Sequence, residues 1–104
     1  MTYFVLHRYG TSEPYPPLSS FPALLDELED RLEDEEHTSV SVVHESEWAL
    51  TINQGGYVSY ENVEADKEPR HMPEVSRSKM LELMEHLALG RLAELEQAPW
   101  LEGY

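Results

Sequence analysis

The stretch from Thr38 to Val63 limits the fold more than any other part of the chain. Thr38–His44 (TSVSVVH) and Glu47–Asn53 (EWALTIN) are strand-like runs separated by a short polar turn at Glu45-Ser46. In the second run Trp48, Leu50 and Ile52 alternate toward one face, while Glu47, Ala49 and Thr51 point to the other. Gln54-Gly55-Gly56 follows, and glycine accepts the positive φ of a tight hairpin turn. Tyr57–Val63 (YVSYENV) is then the partner strand, with Val58 and Tyr60 on one face and Tyr57 and Ser59 on the other. Three consecutive strands with short connections favour an antiparallel sheet.

Residues 2–8 (TYFVLHR) predict a further strand ahead of these. Gly10 to Ser20, with Pro14, Pro16 and Pro17, predicts an extended loop. A helix is expected next, because Ser19 or Ser20 can cap it and Pro22 suits its first turn. Phe21, Leu24, Leu25, Leu28 and Leu32 fall on one apolar stripe. Asp26, Glu27, Glu29, Asp30, Glu33 and Asp34 take the remaining arc, so the helix docks by its leucines and shows carboxylates to solvent. The run Asp26–Glu36 (DELEDRLEDEE) holds eight carboxylates and one arginine.

Beyond the hairpins, Glu64–Pro73 is polar and proline-bounded and predicts a loop. Ser76 caps a second helix, Ser78–Leu89, with Met80, Leu81, Met84, Leu87 and Ala88 inward. Gly90 interrupts it, and Arg91–Gln97 gives a short third helix anchored by Leu92 and Leu95. The ending Pro99–Tyr104 is too apolar for a free tail and is expected to pack back. The order β-α-β-β-β-α-α describes a single α+β domain over 1–104. It has a mainly antiparallel sheet of about four strands with helices packed on one face. The crossover between the first and second strands leaves room for that one pair to be parallel.

Charge narrows the classes of function. Lys plus Arg number 7 against 21 Asp plus Glu, a formal net charge of -14. Such a chain repels nucleic acid and anionic membrane and attracts basic surfaces over long distances. The hydrophobic fraction of 40%, with two tryptophans and six tyrosines, argues for a folded domain over disorder. There is no cysteine, which excludes disulfides and thiolate metal sites. MTYFVLHRYG has too short an apolar run, and no basic leader, for a secretory signal, and no stretch reaches the length of a membrane span. The cytoplasm is the expected location.

Catalytic signals are weak. His7, His37, His44, His71 and His86 form no HExxH or HxH pattern, so no metal site is expected. His44 beside Glu45 and Glu47 could join a hydrolytic site, or be a strand-end histidine next to a solvated turn. Glu61 is the acid to watch for burial, with a structural hydrogen bond as the plainer role. Ser39, Ser41 and Ser59 lack a nucleophile elbow, and Gly55-Gly56 lacks the ending of a phosphate loop. Neither a catalytic residue nor a cofactor is expected. Lys67, Arg70, Arg77 and Lys79 are the only cations that come near one another, too few for the basic stripe of a nucleic-acid binder.

The acidic helix itself has two readings, a solvated face or a docking surface for a basic partner. Like charges at i, i+3 and i+4 cost roughly a few tenths of a kcal/mol per neighbouring pair. Glu33 to Glu36 also oppose the helix dipole, which invites a functional explanation.

The stretch WALTINQGGYVSYEN (Trp48–Asn62), the ending PWLEGY (Pro99–Tyr104) and the general layout resemble small acidic immunity proteins. These neutralise bacterial polymorphic and contact-dependent toxins. The resemblance implies an inhibitor that acts by binding, without catalysis, in the cytoplasm of the producing cell. Charge points the same way, since a toxin acting on nucleic acid or nucleotides tends to have a basic groove that an acidic inhibitor can occupy. Glu29, Asp30, Glu33, Asp34 and Glu36 are the expected charged contacts, with Tyr57 and Tyr60 as candidate aromatic anchors. Trp100 and Tyr104 are expected to close the fold. A nucleic-acid mimic of the anti-restriction or anti-CRISPR type would share the acidic surface. A concave pocket with buried His44 or Glu61 would instead favour a small enzyme or ligand-binding domain, and an accessory subunit would use the acids for solubility alone.

Overall fold

The computed structural model describes residues 2–28, 39–62, 64 and 68–103. Seven strands form one antiparallel sheet: β1 (Tyr3–Leu6), β2 (Ser12–Pro14), β3 (Ser39–His44), β4 (Trp48–Asn53), β5 (Val58–Asn62), β6 (Arg70–Met72) and β7 (Leu101–Glu102). Their spatial order is β2-β1-β3-β4-β5-β6-β7. Among the described residues the α-helices are α1 (Phe21–Asp26), α2 (Arg77–Ala88) and α3 (Leu92–Leu95). The α+β class agrees with the sequence reading, but the sheet has seven strands where about four were expected. The additional strands β2, β6 and β7 lie in stretches that read as loop or tail. None has more than three residues, and backbone pairing with a neighbour defines them where apolar alternation does not. Pro14 closes β2, as suits an edge strand.

All described strand pairs are antiparallel, including β1 with β3. The β1–β2 hairpin explains why the crossover does not give a parallel pair. β2 brings the chain back beside Tyr3, where the Tyr15 N–H donates to the Tyr3 carbonyl at 3.1 Å. α1 starts there, with the Phe21 ring 6.1 Å from that of Tyr3, and ends near His7 and Arg8. β3 therefore enters at the Leu6 end and runs opposite to β1.

Alternation sends Val5, Val40, Val42, Leu50, Ile52, Val58 and Tyr60 to one face, where Phe21, Leu24 and Leu25 of α1 and Leu83, Met84, Leu87 and Ala88 of α2 cover them. Each fully buried aliphatic side chain here contributes about 1.5–3 kcal/mol relative to exposure. Ser76 caps α2 by accepting the Lys79 N–H at 3.3 Å, and Gly90 ends it at φ 74°. Leu83, absent from the expected inward set, is also buried: it lies three residues after Met80 and four before Leu87, on the same stripe.

Candidate functional site

The first residues of the acidic run fasten α1 to α2 and to the segment that follows β1. Asp26 accepts from Arg77 Nη2 at 2.7 Å, and the same nitrogen donates to the Pro22 carbonyl at 2.9 Å. The Glu27 carboxylate accepts the Arg8 backbone N–H at 3.0 Å and lies 2.6 Å from His7 Nδ1. The other His7 nitrogen lies 2.8 Å from Glu13 Oε1. Those hydrogen bonds, to Glu27 first and Glu13 second, raise the His7 pKa above its ordinary value. Arg8 is buried and donates from Nη1 to the Glu27 carbonyl at 2.8 Å, placing a cation where the helix dipole is negative. Glu29, Asp30, Glu33, Asp34 and Glu36, the expected charged contacts, lie outside the described residues, as does Tyr104.

The two aromatic candidates part company. Tyr60 is 0% exposed, so in this fold it cannot present its ring to a partner. Register explains the correction: Tyr60 lies opposite Leu50 and Arg70, on the face that the helices cover. Its ring stacks between Trp48 at 4.5 Å and Trp100 at 5.2 Å, with the Arg70 guanidinium 5.0 Å from its centroid. Burial, then the nearby Glu96 carboxylate, push the Tyr60 hydroxyl pKa up and keep it protonated. Tyr57 lies on the opposite face, half-buried, with its ring 5.4 Å from that of His71. It remains reachable beside the glycine turn.

Sequence reasoning did not reveal the cavity at that turn. It has a volume of about 440 Å³, with an apolar floor that includes Leu25, Ile52 and Met80. Gln54, Glu74 and Arg77 supply polar groups around it. This volume falls within the usual range of about 300–1,000 Å³ for a ligand pocket. Its components come from α1, α2 and the β4–β5 turn, so the available signal was the glycine pair alone. His44 and Glu61 do not line it. His44 is buried at the strand end, where its Nδ1 accepts the Ser46 N–H at 3.1 Å, and Glu61 is half-buried on the open sheet face. Among the described residues, no group of three or more His, Asp and Glu is placed to hold a metal ion.

The described cations do not gather into a patch. Arg70 forms a two-pronged ion pair with Glu96, with Nη2 to Oε1 at 2.7 Å. Lys79 pairs with Glu82 at 3.2 Å and Arg91 with Glu94 at 4.0 Å. Lys67 lies outside the described residues. The carboxylates of Glu45, Glu47, Glu64, Glu68, Glu74, Glu85 and Glu102 are on exposed residues. No family model, curated protein or solved structure matches this chain. Among the described residues, no helix is long and apolar enough to cross a membrane.

Proposed function

We propose that this protein is a non-catalytic inhibitor of the immunity type, which neutralises a basic toxin by covering its active-site or substrate surface. The observation that supports this reading is the distribution of charge. The described cations engage carboxylates or carbonyls of their own chain, while much of the carboxylate excess faces solvent. Such a surface draws a basic partner in by steering, and slow dissociation then depends on apolar and aromatic anchors. Tyr57 is an accessible aromatic for that role, and the neighbouring cavity has room for a side chain of the partner. Glu29, Asp30, Glu33, Asp34 and Glu36 supply the densest charge in the chain and are the proposed steering residues. Binding takes place in the cytoplasm and needs no cofactor.

The test is affinity purification from the native cell at low salt, followed by kinetics on the recovered partner. A stoichiometric basic protein whose toxicity is blocked on co-expression, and whose complex weakens with salt, is the expected result. Reversing Glu29, Asp30, Glu33 and Asp34 to lysine slows association, most strongly at low ionic strength. If no stable partner appears at low salt, the reading fails. If the partner is instead a restriction or CRISPR nuclease, the protein is a nucleic-acid mimic.

A further inference from the structure

Among the described residues, the helices cover only one face of the sheet. Side chains paired across antiparallel strands share a face, so the outward residues of β1, β3, β4 and β5 fall into rows. One row runs Phe4, Val43, Ala49, Glu61. The next runs Leu6, Ser41, Thr51, Ser59, and Ser41 Oγ lies 3.0 Å from Thr51 Oγ1. Glu61 is the only charged residue in these rows, in a chain with 21 acids among 104 residues. Phe4 is 37% exposed, and Leu6, Val43 and Ala49 are half-buried. A sheet face turned to water ordinarily carries polar side chains; here the outward positions are largely aliphatic or hydroxyl-bearing.

Elsewhere acids recur on the described surface. Glu82 and Glu85 lie on α2, Glu94 on α3, Glu45 and Glu47 at the β3–β4 turn, and Glu74 beside β6. Two copies with a net charge of -14 each repel wherever such surfaces meet. The repulsion is least across the open sheet face, where apolar side chains also remain to be buried. We propose that two copies of this chain pair face to face through the open surface of β1, β3, β4 and β5, with their helices turned outward. A basic partner is drawn to carboxylates, which this face largely lacks, so a second copy fits it better. The pairing does not depend on the toxin-inhibitor reading and leaves the helical side of each copy available, and of the contacts proposed for the toxin it overlaps only with Tyr57, which borders the same sheet face.

Geometry sets its strength. Four strands spaced about 4.8 Å apart, with central strands about 20 Å long, give a footprint of at most about 400 Å². That is below the roughly 800 Å² per partner of a standard interface, so the pair is weak and depends on concentration. Net charge opposes it and apolar burial favours it, so added salt strengthens it. Salt has the reverse effect on a complex with a basic partner.

Sedimentation velocity and light scattering on the full chain test this, from micromolar to millimolar protein at low and high salt. The expected mass rises from 12.0 kDa toward twice that value with concentration, and further with salt. Val43→Arg and Thr51→Arg each lower the net negative charge, so repulsion alone would make them pair better; on this face each buries an unpaired guanidinium and abolishes pairing. Glu85→Arg makes a larger charge change in the same direction on α2 and keeps pairing intact or stronger. Circular dichroism and the thermal midpoint establish that each variant is folded, and Thr51→Arg decides if Val43→Arg is not. A wild-type monomer at every concentration and salt level overturns the proposal and leaves the face to a different protein or to water. Dimers that survive in folded Thr51→Arg overturn it equally.

Discussion

Replacing Trp100 tests whether the end of the chain holds the aromatic core shut. Trp100 is half-buried, stacks on Tyr60 at 5.2 Å and donates its indole N–H to the Leu95 carbonyl at 2.9 Å. Burying roughly half of a tryptophan removes about 100 Å² from water, worth about 2.5 kcal/mol. The stack and the hydrogen bond contribute on the order of 1 kcal/mol each. Trp100→Ala is therefore expected to cost about 4–5 kcal/mol, a large share of the roughly 5–15 kcal/mol that holds a typical domain together. Trp100→Phe keeps much of the stacking but loses the indole N–H, and is expected to cost about 1–2 kcal/mol. Urea unfolding followed by circular dichroism gives both values, with Trp48 fluorescence as an independent probe of the same transition. Ultraviolet titration gives a further readout: the Tyr60 hydroxyl, now raised by burial and by Glu96, moves back toward an ordinary tyrosine once Trp100 no longer covers it. A loss below about 1 kcal/mol for Trp100→Ala, with the tyrosine titration unchanged, would show that the tail does not close this fold.

Three further outcomes follow from the geometry. Glu27 and Glu13 raise the His7 pKa above about 6.5, so protonated His7 stabilises fully below that value and less as pH climbs through the raised folded pKa. His7→Gln thus lowers the thermal midpoint more near pH 6 than in alkaline solution, and a pH-independent difference would contradict the bridge. Gly55 and Gly56 both have positive φ, at 84° and 86°, but a Cβ at Gly56 would lie 3.3 Å from the Val75 backbone, whereas one at Gly55 meets nothing within 4 Å. Gly55→Ala is expected to cost about 1–2 kcal/mol and Gly56→Ala at least about 1 kcal/mol more, in denaturant titrations; equal losses would refute the close approach. Finally, self-repulsion at a net charge of -14 means that added sodium chloride raises the thermal midpoint, and a midpoint that falls would show that internal ion pairs outweigh that repulsion.

Local signals carried much of the fold. The hairpins of β3, β4 and β5 follow from alternation and the glycine turn, and the start of α2 follows from Ser76. β6 was hidden because Arg-His-Met carries no apolar alternation, and two-residue β7 because pairing alone makes it a strand. Tyr60 shows a signal present but unused. Pairing β4 with β5 across the turn sets it opposite Leu50, which assigns it to the core. The grip of Glu27 on His7 and Arg8 joins residues 20 and 19 positions apart, and no local pattern announces it. For the proposed steering residues, the sequence identifies the charge and the described structure shows how the run begins, at Asp26 and Glu27.

The fold accounts for its cations more fully than for its acids. Arg70 ties β6 to the end of α3 through Glu96, Arg77 ties α2 to α1 through Asp26, and Arg8 ties the β1–β2 turn to the end of α1. Each joins elements distant in sequence; the partly exposed Arg70 and Arg77 pairs are worth only about 0–1 kcal/mol each, while buried Arg8 donates to a backbone carbonyl. Glu45, Glu47, Glu68, Glu74 and Glu85, by contrast, lie on the surface and contribute nothing to the apolar core. Their glutamine counterparts would preserve that core and relieve repulsion, so burial supplies no reason for charge at these positions. The same sequence leaves the outward rows of β1, β3, β4 and β5 almost free of charge. Packing requires neither arrangement, and the two proposals, a charged surface to steer a basic partner and a neutral face to pair with a second copy, would give a physical reason for both.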